Sequence, residues 1–146
     1  MKNSSARLLV VDDSASMRHI IRDLLLRLGF TDIDEAPDGR VAYERFQRTP
    51  YDLIMTDWSM PHFDGIALLR AIRQGTERQA TPVIVLTGHV NTARVVEAIE
   101  AGADGFVAKP FIIPSLTEKV LRLVAALPAR ASQVAVRNTE APTHAS

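Results

Sequence analysis

Tyr51-Asp52-Leu53-Ile54-Met55-Thr56-Asp57-Trp58-Ser59-Met60-Pro61-His62-Phe63-Asp64-Gly65 passes from an apolar run into a loop, and the change of character falls at a carboxylate. Leu53 to Met55 is a short apolar run of strand type, while Pro61 and Gly65 are loop-forming residues. Asp57 therefore stands at the mouth of a strand. In open α/β sheets ligands bind in the crevice beyond the carboxyl ends of the strands, so position alone makes Asp57 a candidate for chemistry. An isolated aspartate in such a place more often serves the following turn. The other strands must decide between the two.

Outward from this stretch, strands and helices alternate. Leu8-Leu9-Val10-Val11 is apolar without alternation, as a strand buried on both faces of a parallel sheet should be, and it stops on Asp12-Asp13. Ser14 or Ser16 can cap a helix carrying Met17, Ile20, Ile21, Leu24, Leu25 and Leu28, which Gly29 ends. Ile33 to Ala36 is a weaker strand, Pro37-Asp38-Gly39 a turn, and Val41, Ala42 and Phe46 mark a short helix. Beyond the Asp57 loop, Ile66, Leu69 and Ile72 predict a third helix, broken near Gly75. Pro82 to Thr87 is the clearest strand, continuous and β-branched. Asn91 caps a fourth helix through Val95, Val96 and Ile99 to Gly102, Gly105 to Ala108 is a fifth strand, and Leu116, Val120, Leu123, Val124 and Leu127 line the last helix. The start of that helix has two readings: Ser115 with Glu118 matches a capping box, and Pro114 suits a first turn. Five strands alternating with five helices imply a doubly wound parallel sheet of flavodoxin-like order 2-1-3-4-5.

The expected organisation is a short extension over residues 1–5, one domain over 6–127 and a disordered Ala-, Ser-, Thr- and Pro-rich tail over 128–146. The 146 residues suffice for one core without metal or disulfide staples, and the absence of cysteine excludes a disulfide scaffold and thiolate chemistry. Seventeen basic and seventeen acidic residues cancel, so no overall field draws the chain to nucleic acid or anionic lipid. No apolar run approaches membrane-spanning length, and we expect a soluble, cytoplasmic protein.

Four strands deliver polar residues to one edge: Asp12 and Asp13 from the first, Asp57 from the third, Thr87 from the fourth and Lys109 from the fifth. Three carboxylates converging in one crevice repel each other, and a divalent cation offsets that repulsion. Few protein carboxylates with positions left for water and phosphate oxygens favour magnesium over a calcium cage. The acids, the dication and Lys109 then sum to no net charge. Such a site is neutral until a phosphoryl group arrives.

On Val10-Val11-Asp12-Asp13-Ser14, Asp57-Trp58-Ser59-Met60-Pro61 with Gly65, Leu86-Thr87-Gly88 and Lys109-Pro110-Phe111, the chain resembles the response-regulator receiver domains of two-component systems, and among them the stand-alone chemotaxis regulators. The resemblance spans about residues 6 to 127. It implies that Asp57 accepts a phosphoryl group from a histidine kinase or a phosphotransfer protein. It further implies that Asp12, Asp13, Asp57 and the Ser59 backbone carbonyl hold magnesium, for which manganese can substitute. Lys109 would bind one phosphoryl oxygen, Thr87 would swing in to bind another, and Lys109-Pro110 would be cis. The implied protein is a signalling phosphoprotein, chemotaxis-like or an intermediate in a phosphorelay, that assists its own phosphorylation and dephosphorylation. It is a monomer or a phosphorylation-dependent dimer. It binds its effector through the fourth helix, fifth strand and fifth helix, with Val95, Phe106, Glu118 and Arg122 presented there.

Phe106 is a departure, because the chemotaxis regulators carry tyrosine there, and a phenyl ring has no hydroxyl to offer a partner. Ser59 and His89 flank the site, and Trp58 is expected to be partly exposed beside the metal. His19, His62, His89 and His144 show no ligand spacing and read as surface residues. A magnesium-dependent phosphatase of the haloacid dehalogenase type also uses a strand-end aspartate, yet it needs a second Asp two positions on as general acid, where this chain has Ser59. A flavodoxin would want an uncharged loop after the first strand, and Asp12-Asp13 would repel its phosphate.

Overall fold

The computed structural model describes residues 5–75 and 78–126. The expected ends of the chain, 1–4 and 127–146, lie outside them, as does His144. The elements run β1 (Arg7–Val11), α1 (Ala15–Arg27), β2 (Asp32–Ala36), α2 (Gly39–Arg48), β3 (Leu53–Asp57), α3 (Gly65–Gln74), β4 (Val83–Thr87), α4 (Thr92–Ala101), β5 (Gly105–Ala108) and α5 (Ile113–Ala125). The strands form one parallel sheet in the order β2-β1-β3-β4-β5. This is the doubly wound order expected from the alternation of elements.

The apolar strands carry a period of two that a continuous run conceals. Leu9, Val11, Ile54, Val83 and Val85 join Ala42, Phe46, Leu69, Ile72 and Ala98 in a core under α2, α3 and α4. Leu8, Val10, Leu53, Met55, Ile84 and Leu86 join Ile21, Leu25, Leu116 and Val120 in a second core under α1 and α5. The three central strands, β1, β3 and β4, thus bury both faces, which is why their middle residues are apolar without alternation. The sheet is clamped between two helical layers, and its carboxyl edge is left to the loops.

Four helices begin with side-chain caps, each at the carboxyl edge. Ser14, Asp38, Asp64 and Asn91 accept from the backbone N–H of Met17, Val41, Ala67 and Arg94 respectively. The choice between Ser14 and Ser16 thus falls to Ser14, and Asp38 of the predicted turn is a cap, with Gly39 the first helical residue. Helix α5 departs from the capping-box reading. Its N-cap is Ile112, no side chain caps it, and Pro114 lies in its first turn. Proline there loses no helical hydrogen bond, since the first N–H groups of a helix have no partner within it.

Helix α4 forms where its cap and spacing place it, but its apolar residues do not all face inward. Ala98 is its buried residue, whereas Val96 is 45% and Ile99 64% exposed. The helix rests on its small side chain and turns larger ones outward.

Candidate functional site

Asp12 lies one residue beyond β1 and is only 2% exposed. Its Oδ1 accepts the Ser14 N–H at 2.9 Å, its carbonyl accepts from Arg18 Nη1 at 2.7 Å, and its own N–H donates to the Ala36 carbonyl at 3.1 Å. These bonds hold the carboxylate at the sheet edge before any ligand arrives. Asp13 beside it is exposed. Asp57 is the last residue of β3, 7% exposed. Asp12, Asp13 and Asp57 each offer an oxygen within 4.8 Å of the others, and among the described residues this is the metal-compatible cluster. Lys109 closes the group: its Nζ stands 3.1 Å from Asp57 Oδ1 and 3.4 Å from Asp12 Oδ2.

The strand ends are tied to one another. Lys109 N–H donates to the Thr87 carbonyl at 2.8 Å, Trp58 N–H to the Leu86 carbonyl at 2.8 Å, and Gly65 N–H to the Trp58 carbonyl at 2.9 Å. The peptide bond between Lys109 and Pro110 is cis, as the resemblance implied. Ser59 is exposed and lines an open cleft of about 400 Å³ with Asp13, Trp58, Met60, Pro61, Asp64 and Arg94.

Burial first, and then the neighbouring Asp12 charge, push the Asp57 carboxyl above its ordinary value, with Lys109 opposing both. Burial alone would lower the Lys109 ammonium, but its hydrogen bond to Asp57 and the charge of Asp12 outweigh it and leave the value raised. A raised carboxyl means that the folded protein binds the Asp57 proton more tightly than the unfolded chain does. The stability tied to Asp57 is therefore full below the unfolded value and is lost as pH rises through the folded one. At neutral pH the ionised group opposes folding. Asp57→Asn is expected to raise the metal-free melting temperature at pH 7, with a smaller gain in mild acid. Thermal melts across that range check this, and a fall at pH 7 would mean that the Lys109 pairing outweighs burial.

The predicted site residues separate into two groups. Asp12, Asp13, Asp57 and Lys109 come together, and Thr87 sits at the neighbouring strand end with a buried side chain. Val95 and Phe106 are half-buried, while Glu118 and Arg122 are exposed on α5. Trp58 differs from the expectation of partial exposure. It is 6% exposed, its ring meeting Phe106 edge-on at 6.4 Å and lying under the Arg94 guanidinium at 4.4 Å. Packing against an aromatic and a cation from two other elements encloses it, and no local pattern announces those partners. His19, His62 and His89 are exposed and stand apart from the acidic group. Arg94, whose Nη1 also donates to Thr87 Oγ1 at 3.2 Å, is the residue that sequence reading overlooked. Its one local signal is its position three residues after the Asn91 cap.

The response regulator receiver domain profile matches residues 8–121. Chemotaxis protein CheY-3 of Vibrio cholerae serotype O1 is 38% identical over 118 residues, covering 81% of this chain and 91% of that protein. Chemotaxis protein CheY of Pseudomonas aeruginosa is 40% identical over 117 residues, covering 80% and 94%. Among solved structures, chemotaxis protein CheY4 of Vibrio cholerae superposes with a TM-score of 0.75 at 31% identity, covering 81% of this chain and 98% of that one. The receiver domain of a sensor histidine kinase from Pseudomonas aeruginosa PAO1, solved with a magnesium ion coordinated in its active-site cleft, gives 0.75 at 28% identity over 82% and 98%. With its strand order, its acidic edge and these matches, the chain belongs to the response regulator receiver domain family, as a CheY-like module of two-component signalling.

Proposed function

We propose that this protein accepts a phosphoryl group on Asp57 from a histidine kinase or phosphotransfer protein and signals by binding an effector in its phosphorylated form. The observation that carries this reading is the placement of the Asp57 carboxylate 3.1 Å from the Lys109 ammonium within the Asp12-Asp13-Asp57 group. Phosphoryl transfer needs an oriented nucleophile and cations on the phosphoryl oxygens, and little covalent help. β3 holds the nucleophile at the cleft, and Lys109 lowers the repulsion between its carboxylate and an incoming anion. The new Asp57 O–P bond forms as the donor's N–P bond breaks.

The donor set fits magnesium. Three carboxylates with one lysine against them keep an excess of negative charge, and hard oxygen ligands suit that ion. Asp12, Asp13, Asp57 and the Ser59 backbone carbonyl would hold it, with manganese as a substitute. When bound, the ion supplies positive charge to the phosphoryl oxygens. Lys109 then contacts one of those oxygens and the Thr87 hydroxyl another.

Output is assigned to the face of α4, β5 and α5, with Val95, Phe106, Glu118 and Arg122. Exposed Val96, Ile99, Ile112 and Ile113 on or beside these elements support it, because they offer apolar surface beyond what the core uses. No helix among the described residues is long and apolar enough to cross a membrane.

Intact-mass measurement after incubation with acetyl phosphate and magnesium tests the assignment. One phosphoryl adduct is expected in wild type and none in Asp57→Asn. An adduct of equal yield in that variant would place the acceptor elsewhere.

A further inference from the structure

Arg94 stands where the phosphorylation cleft meets the output helix. Asn91 Oδ1 accepts the Arg94 N–H at 2.9 Å, which fixes the first turn of α4. A side chain leaving that turn leans toward the helix N-terminus, and here it reaches the ends of β3 and β4. The guanidinium lies 4.4 Å over the Trp58 ring while Nη1 donates to Thr87 Oγ1 at 3.2 Å. Arginine can do both because its planar head stacks by its face and donates from its edge. The platform is firm: Trp58 is buried, its N–H and carbonyl are both bonded, and Phe106 meets its ring edge-on.

A threonine hydroxyl has one donor and two acceptor positions. The acceptor positions of Thr87 take Arg94 Nη1 at 3.2 Å and the His89 N–H at 3.1 Å. Among the described residues its proton finds the His89 carbonyl at 3.5 Å, the outer limit of a hydrogen bond. Turning the side chain toward another oxygen sacrifices the two bonds it accepts.

We propose that Arg94 is a positioning residue that tethers the Thr87 hydroxyl to α4 in the unphosphorylated protein, so that Thr87 must leave Arg94 in order to bind a phosphoryl oxygen. The arginine thereby sets the balance between the resting and signalling forms, and it does so from a platform, Trp58, that also touches Phe106. The signalling consequence rests on Asp57 as phosphoacceptor; the tether itself does not.

Two measurements test it, with Arg94→Met retaining the stem over Trp58 while removing the donor. In the free protein, three-bond couplings to the Thr87 methyl are expected to report a single rotamer in wild type and averaging in Arg94→Met. Unchanged couplings would overturn the tether. Beryllofluoride, added with magnesium and followed by the emission of Trp58, the single tryptophan, should bind about five- to tenfold more tightly to Arg94→Met, the scale of one hydrogen bond from a charged donor in a partly solvated place. In a Thr87→Ala background that gain should vanish, because the pair is already broken. Weaker binding in both backgrounds would instead mean that Arg94 contacts the anion directly, and would overturn the proposal. If Asp57→Asn takes up beryllofluoride as wild type does, the phosphoacceptor assignment fails, and the couplings still decide the tether.

Discussion

Gly65→Ala is expected to be among the most damaging single-methyl changes this protein can suffer, at about 3 kcal/mol or more of stability. A Cβ at residue 65 would lie 2.2 Å from the Asp57 carbonyl oxygen and 3.1 Å from both the Asp57 carbonyl carbon and the Trp58 Cα. All three are backbone atoms, so no side-chain rotation relieves the clash. Either α3 retreats from the sheet or the end of β3 shifts, and the second moves the Asp57 carboxylate from Lys109. The same methyl strains the Gly65 N–H bond to the Trp58 carbonyl, which closes the loop after β3. A domain of this size has roughly 5–15 kcal/mol to lose, so the variant should remain partly folded but melt roughly 10 °C lower or more. Thermal or urea unfolding, together with acetyl phosphate adduct yield, measures both effects. Wild-type values for both would show that the close approach of helix and strand is not needed.

Magnesium should stabilise the protein nearly as strongly. An ion that binds the folded state alone adds about 2.7 kcal/mol at a hundred times its dissociation constant. Its source here is the removal of repulsion among Asp12, Asp13 and Asp57, of which two are buried. Asp13 is the exposed member, so replacing it disturbs the core least. Asp13→Ala is expected to raise the metal-free melting temperature slightly and to abolish most of the response to magnesium. Calorimetric melts with and without the ion check this. An undiminished response would remove Asp13 from the ligand set.

Much of this was legible in the chain because it depends on local chemistry. A strand buried on both faces must be apolar throughout, so Leu8 to Val11 and Val83 to Thr87 declare themselves. Aspartate and asparagine cap helices wherever the following pattern permits, so Asn91 announced α4 before its packing was known. The alternation of elements then leaves few topologies, and strand ends that terminate in Asp12, Asp57, Thr87 and Lys109 must share an edge. That convergence is a consequence of order along the chain, and distances of 3.1 and 3.4 Å from Lys109 are its realisation.

What the chain could not show depends on contacts between elements far apart in sequence. Ser115 and Glu118 satisfy a capping pattern, yet α5 starts at Ile113, so a pattern that local bonds permit was not the one adopted. Val96 and Ile99 are as apolar as core residues, and the packing of α4 on Ala98 leaves them facing solvent. Gly65 gives no hint that its missing side chain makes room for the Asp57 backbone. Arginine is the extreme case. Arg73 donates to the carbonyls of Gln79, Thr81 and Gly102 and to Asp104, pinning α3 to the opposite edge of the sheet, while Arg94 lies between Trp58 and Thr87. A long, flexible, always-charged side chain is compatible with almost any surface position, so its type and spacing carry little information about its partners. The sequence by itself determined the sheet, its order and the acidic edge; the tertiary structure alone decided that Trp58 is enclosed and that Arg94 holds Thr87, because those contacts exist only once three separate elements have packed.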